Sequence, residues 1–176
     1  MTALYESQRL QFGLWRLQDL PLAQRLWTNR QTCRYIAASG AMTPRQAEQR
    51  MEREIQQYLQ TGLQYHPLYR KEDGAFIGVC GLRPYQAKDP ARQGQTICEL
   101  GVHLLPDYWH AGYAFEAARR TMDRAFDQLS CHALFAGHNP KNTASRGLLL
   151  KLGFRYDHDE FYPPTGLYHP SYFFDP

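Results

Sequence analysis

Six consecutive residues, Trp109, His110, Ala111, Gly112, Tyr113 and Ala114, stand where a strand-like run, Cys98 to Pro106, gives way to a run of helical character. The first amides of a helix have no partner inside it, and the aligned peptide dipoles place roughly half a positive charge there. A diphosphate would satisfy both, and a glycine at position 112 lets its oxygens reach the main chain. A tight strand-to-helix turn without a ligand is the other reading of the same glycine.

A second stretch, His138 to Phe154, opens with Asn142 as a helix cap and places Ser145 at the third helical position. Leu148, Leu149 and Leu152 form the buried stripe, and Gly153 is the left-handed stop before Phe154. Near the C-terminus, Asp157, Asp159 and Glu160 lie among Tyr156, Tyr162, Tyr168, His169 and Tyr172. Those carboxylates can hold a cationic amine, or be surface groups beside a turn. Tyr65 and His66 add a hydroxyl and an imidazole on an earlier strand. The four cysteines, Cys33, Cys80, Cys98 and Cys131, form no C-x-x-C pair, so buried reduced thiols are expected and no structural zinc or other metal site.

The elements that position these groups follow from periodicity and caps. Arg9 to Leu17 alternates as a strand, and Leu20 to Thr28 reads as a short helix with Asp19 as its cap. Thr43, Pro44 and Gln46 form a capping box for a longer helix with Ala47, Met51, Ile55, Tyr58 and Leu59 on its apolar face, ended by Gly62. Leu63 to Arg70 and Ala75 to Leu82 bracket an Asp73-Gly74 hairpin turn, and Pro84 to Gln95 reads as an exposed loop. Thr96 to Leu105 is a strand and Gly112 to Leu129 a helix with Ala114, Ala118, Met122, Ala125 and Leu129 on one face. His132 to Ala136, Asn142 to Leu152, a strand from Phe154, and Leu167 to Phe174 complete an order β-α-α-β-β-β-α-β-α-β-β.

At 176 residues and 43% hydrophobic content, the chain is expected to form a single domain over residues 1–176. A net charge of +3 without a Lys/Arg run suits a small anionic ligand and argues against nucleic acid. No signal-peptide pattern and no stretch of about 18 apolar residues is present, so a cytoplasmic protein with no membrane partner is expected. A nucleotide-binding protein using the same helix start is a rival that the lack of G-x-x-x-x-G-K-[ST] disfavours.

The stretch from Glu99 to Ala117 followed by Asn142, Ser145 and Leu148 to Phe154 resembles the GNAT N-acetyltransferase superfamily, most closely its branch acetylating the N-termini of ribosomal proteins. Glu6 to Leu20 and Phe76 to Tyr85 fit that branch too, so the resemblance runs from about Glu6 to Phe174. It implies the acyl-CoA N-acyltransferase fold, a mixed α/β (α+β) domain with a mostly antiparallel sheet of about six to seven strands and about four helices. It also implies acetyl-CoA as cosubstrate, no metal, and a small-molecule or peptide amine as acceptor, in a monomer or homodimer.

In the family pattern Q/R-x-x-G-x-G/A, Gly112, Tyr113 and Ala114 match the last three positions, while Trp109 replaces the usual Gln or Arg. The resemblance then assigns the pyrophosphate to the main chain from His110 through Ala111 and Gly112 to Ala114. It assigns the pantetheine arm to the main chain of Val102, His103 and Leu104, with Asn142 on the other side; plain helix capping is Asn142's second role.

Acyl transfer needs a base for a protonated amine and a donor for a thiolate of pKa ~8.5 by analogy with cysteine. Glu99 matches the acidic strand residue the family often uses, and burial would raise it toward neutrality. Its other reading is a strand carboxylate paired with an arginine. Leu149 stands where many members carry a tyrosine acid, and Ser145 matches the serine of the ribosomal-protein branch, as acid or as a first-turn residue. A main-chain amide at the His103–Leu104 edge is the expected oxyanion donor. By the same analogy Tyr65, Glu160, Tyr162, Tyr168 and His169 line the acceptor side. The rival from another class is an inactive acyl-CoA-binding or sensing module.

Overall fold

The computed structural model describes residues 3–176. Eight strands form one sheet: β1 (Tyr5–Glu6), β2 (Leu10–Phe12), β3 (Tyr65–Arg70), β4 (Phe76–Tyr85), β5 (Ile97–Leu104), β6 (Ala133–Gly137), β7 (Arg155–Tyr162) and β8 (Leu167–Phe174). Their order is β1-β2-β3-β4-β5-β6-β8-β7, and only β5 and β6 run parallel. Five α-helices accompany them: α1 (Leu20–Trp27), α2 (Arg30–Cys33), α3 (Pro44–Thr61), α4 (Tyr113–Asp127) and α5 (Thr143–Leu152). The mixed, mostly antiparallel α/β architecture expected from the sequence is present.

The count exceeds expectation by one strand and one helix. The extra strand, β1, is a two-residue partner of β2, and its pairing with Gln11 and Phe12 is too short to leave an alternation signal. The extra helix, α2, is a single turn capped by Asn29, whose side chain accepts from the Thr32 amide at 3.0 Å. Asp19 precedes α1 without capping it; its carboxylate accepts instead from the Arg16 amide at 2.9 Å, closing a 3-10 turn. The capping box of α3 forms on both sides: Gln46 N–H donates to Thr43 Oγ1 at 3.2 Å, and Thr43 N–H to Gln46 Oε1 at 2.8 Å.

The buried face of α3 is Ala47, Met51 and Glu54, so Leu59 points to solvent and a carboxylate takes a core position. β4 runs three residues past the expected end, because Arg83, Pro84 and Tyr85 pair with Glu99, Cys98 and Ile97, and the Tyr85 ring stacks on Phe135 at 3.8 Å.

Two cores lie on opposite faces of the sheet. Cys80, Leu82, Cys98, Leu100 and Leu104 join Ala118, Met122 and Leu149 under α4 and α5. Trp15, Trp27, Met51, Tyr65 and Val79 form the other, under α1 to α3. Side chains alternate along a strand. The even-numbered residues of β5 therefore pack toward α4, while Glu99, Gly101 and His103 face the α1–α3 side. All four cysteines are buried free thiols, and no helix among the described residues is long and apolar enough to cross a membrane.

Candidate active site

β5 and β6 separate part-way along. They pair only over Ile97–Glu99 and Ala133–Phe135, whereas β5 stays on β4 as far as Leu104. The Leu105 amide donates to Ile77 O at 2.9 Å, and Thr96 O accepts from the His132 amide at 2.8 Å. Main-chain groups alternate in direction, so odd residues of β5 turn to β4 and even ones to the β6 side. Beyond Glu99 that side is open. Val102 and Leu104 consequently present main-chain groups to a crevice, while His103 is committed to β4 and its ring accepts from Trp27 Nε1 at 3.3 Å.

The open edge ends at the loop that begins α4. Leu104 O accepts from Trp109 Nε1 at 2.9 Å and from Thr32 Oγ1 at 3.2 Å. Trp109 thus braces the loop against the strand. His110 and Gly112 both adopt left-handed conformations, φ 58° and 80°, turning the chain sharply into the helix. Gly112 is the N-cap and has no side chain to cap with; the first helical bond is from the Glu116 amide to Gly112 O at 3.1 Å.

Among the described residues the amides of Tyr113, Ala114 and Phe115 find no acceptor outside their helix, and Trp109 to Gly112 are exposed. Glu116, in the first turn, is turned away: its carboxylate accepts from Ser7 Oγ and the Arg9 amide at 2.7 Å each and pairs with Arg9 Nε at 2.6 Å. Arg9 also donates to Ala111 O at 3.0 Å, fixing the loop without covering the amides.

The opposite wall is the segment after β6. Asn142 caps α5, its Oδ1 accepting from the Ser145 amide at 3.1 Å, which leaves the Nδ2 hydrogens free to donate. Ser145 is half-buried and its hydroxyl has no hydrogen-bond partner among the described residues; Leu149 is buried in the core. Buried His138, which no sequence signal singled out, donates from Nδ1 to Asn139 O at 2.8 Å and leaves Nε2 without a partner.

Glu99 stands where the strands part. Burial raises its pKa above the usual carboxylate range, against the pull of Arg83 and Arg50. Among the described residues it forms no ion pair. Arg83, directly across the ladder, bonds to Glu54 Oε1, and so does Arg50 Nε at 3.0 Å. The Tyr65 ring lies over Gly101, where a Cβ would overlap it, with the Arg83 guanidinium 4.3 Å from its centroid and His103 edge-on at 5.6 Å. Burial also lifts the Tyr65 hydroxyl far above its ordinary range, with Glu99 adding to the effect. Arg50, Glu54 and Arg83 escaped sequence reading because charges on a helix and a strand end read as solvated.

The remaining acceptor-side residues lie on the β7–β8 hairpin. β8 passes the end of β6, at Ser171 opposite Gly137, so the hairpin tip projects on the side where the crevice opens. Glu160 pairs with Lys88, His169 Nε2 contacts Thr165 Oγ1 at 2.9 Å with the Tyr162 ring tilted against it at 4.9 Å, and Tyr168 is exposed against Phe161. A cleft of about 450 Å³ runs between Tyr85, Asp157, Asp159, Glu160, Phe161 and Phe173. The structure thus joins Tyr65 to Glu99 and puts Glu160 on the cleft wall, whereas Tyr162, Tyr168 and His169 lie on the same hairpin outside the cleft lining. Among the described residues no group of three or more His, Cys, Asp or Glu is arranged to hold a metal ion.

Residues 9–155 match the family described as Acetyltransferase (GNAT) domain. A Bacillus subtilis protein, YkkB, is 35% identical over 86 residues, 49% of this chain and 47% of YkkB, so the chain spans about half the length of that curated relative. Among solved structures, the ribosomal-protein-S5-alanine acetyltransferase from Vibrio fischeri superposes with a TM-score of 0.74 at 19% identity, covering 99% of this chain and 97% of that one. Spermidine N-acetyltransferase from Vibrio cholerae, in complex with CoA and spermine, gives 0.75 at 16% identity and covers 95% of each chain.

Proposed function

The chain belongs to the GNAT family of acetyltransferases, and we propose from that premise that it moves an acetyl group from acetyl-CoA to a primary amine by direct attack in a ternary complex. The observation that carries this reading is the pairing of two open main-chain surfaces: the partnerless amides at the start of α4 and the edge of β5 left open at Val102 and at the Leu104 amide. A doubly charged diphosphate suits the first, and an extended amide-containing arm suits the second. Asn142 Nδ2 would donate to the arm from the far wall. Acetyl-CoA, when bound, supplies an acetyl thioester activated for attack.

The chain's own groups would do the rest. Glu99, held partly out of water and in its ionised form, takes the proton that an ammonium acceptor must lose before its nitrogen can attack. Leu104 N–H, at the open edge, is oriented to donate to developing negative charge on an oxygen in the crevice. Ser145 Oγ, free of other partners, donates toward departing sulfur. The acidic and aromatic cleft beside the β7–β8 hairpin is where Glu160 would meet the acceptor's body, with Tyr162, Tyr168 and His169 further along the same hairpin. The substrate class spans protein N-termini and small amines; the two structural neighbours are named for a ribosomal-protein alanine and for spermidine.

An acetyl-transfer screen across peptides of differing first residue, polyamines and aminoglycosides, read by thiol release, tests the proposal. Release that depends on an amine and is lost in Glu99→Gln supports it. Tight coenzyme A binding with no transfer to any acceptor class would replace it with an acyl-CoA-binding module.

A further inference from the structure

Glu54 is the one carboxylate in the buried set among the described residues, 1% exposed. It ties three elements together: Oε1 accepts from Arg50 Nε at 3.0 Å and from Arg83, and Oε2 accepts from the Tyr65 amide at 2.9 Å. Stability alone does not call for such an arrangement, since well-packed apolar residues commonly replace a buried ion cluster without loss. Its geometry, however, bears on Glu99. Arg83 is the cross-strand partner of Glu99 and both side chains lie on one face of the sheet. Without a competing carboxylate, a rotation of the Arg83 side chain would bring its guanidinium onto Glu99.

We propose that Glu54 is a positioning residue for acyl transfer: by clamping Arg50 and Arg83 it keeps both cations off the Glu99 carboxylate and leaves that carboxylate free to accept the acceptor's proton. The proposal rests on Glu99 being the base. The groups facing Glu99 are Arg83 and Tyr85 from β4, Tyr65 from β3, Arg50 and Glu54 from α3, His103 from its own strand, and the uncharged Phe135 from β6. Removing the negative charge of Glu54 leaves two guanidiniums, both already acting on Glu99, without their carboxylate partner. An opposing cation within a few ångströms favours the ionised carboxylate. Glu99 would then bind its proton less tightly and act as a weaker base.

Glu54→Gln, Glu54→Asp and Glu99→Gln are compared in two measurements: the pH dependence of kcat/KM, and the ¹³C NMR titration of the Glu99 carboxyl carbon in the protein without cosubstrate, assigned by its loss in Glu99→Gln. In Glu54→Gln the acid limb and the NMR midpoint both move down by about one pH unit or more, and the plateau falls about tenfold. Glu54→Asp restores part of each. A slower Glu54→Gln enzyme whose limb and midpoint stay in place would show Glu54 to be structural only and overturn the proposal. Full activity in Glu99→Gln would instead overturn the base assignment itself. Should Glu54→Gln not fold, Arg83→Gln carries the test: withdrawing a restrained cation moves both midpoints up, and unmoved midpoints refute the clamp.

Discussion

Arg83 lies directly across the β4–β5 ladder from Glu99, yet its guanidinium is bonded to Glu54 on the helix above. A cross-strand Arg–Glu pair would ordinarily close into an ion pair and hold the carboxylate ionised well into acid. Here the arginine is diverted, and burial prevails at Glu99, raising its pKa. The carboxylate is thereby left largely out of water without the cross-strand cation that would hold it ionised.

Glu99→Gln is expected to lower kcat/KM by at least about a hundredfold, the usual contribution of a positioned base. Because Glu99 must be ionised to accept a proton, activity in the unaltered protein falls as pH drops through its raised pKa. Coenzyme A affinity, measured by calorimetry, should be unchanged by the substitution. A Glu99→Gln enzyme with an intact rate and the same acid limb would remove Glu99 from the mechanism.

Asn142 offers two separable functions. Asn142→Asp keeps an oxygen for the Ser145 amide but loses the Nδ2 donors, whereas Asn142→Ala loses both. The alanine variant should lose about 1 kcal/mol of stability in urea melts, and the aspartate variant little. Coenzyme A binding should weaken in both. Undiminished binding in the aspartate variant would restrict Asn142 to capping.

Gly112 holds φ at 80°, and a Cβ there would meet only Arg9 Nη2 at 3.4 Å. Gly112→Ala should therefore cost about 1–2 kcal/mol through backbone strain alone, without a clash. The methyl group would also stand between the α4 amides and an approaching phosphate, so coenzyme A affinity should fall about tenfold, beyond any effect on melting. Equal affinity in the variant would place the diphosphate elsewhere.

His66 provides a test of stability against pH that is independent of the site. It is buried, donates from Nδ1 to Gly13 O at 2.9 Å and has no partner at Nε2; burial pushes its pKa down to about 4. The unfolded chain binds that proton near pH 6.5, so the contribution is fully present above 6.5 and is lost as pH falls toward 4. The loss amounts to about 3 kcal/mol at its limit. Urea melts of the unaltered protein and His66→Asn at pH 7 and 4.5 should show the steeper decline only in the former. Parallel declines would assign the acid sensitivity to other groups.

Much of the fold was legible because its signals act over a few residues. The Thr43–Gln46 box, the left-handed stops at Gly62 and Gly153, and the Asn142 cap are each decided within one helical turn. Alternation located most strands for the same reason. Helix-face reading failed at Leu59 and Glu54, because which stripe of α3 is buried depends on where Arg83 and the Tyr65 amide wait to receive it. Asp19 went to Arg16 instead of α1, a choice between two equally local partners.

By itself, then, the sequence determined the order of the longer elements, the glycine that opens α4, the cap that opens α5, and the family pattern those two carry. Tertiary structure alone decided that β5 and β6 part after Glu99, that Trp109 is tied to Leu104 O, and that Arg83 leaves Glu99 for Glu54. The physical reason is range. Backbone preferences and caps are settled by neighbours in the chain, but hydrogen-bond partners and local charge are settled by neighbours in space, which no single stretch of residues encodes.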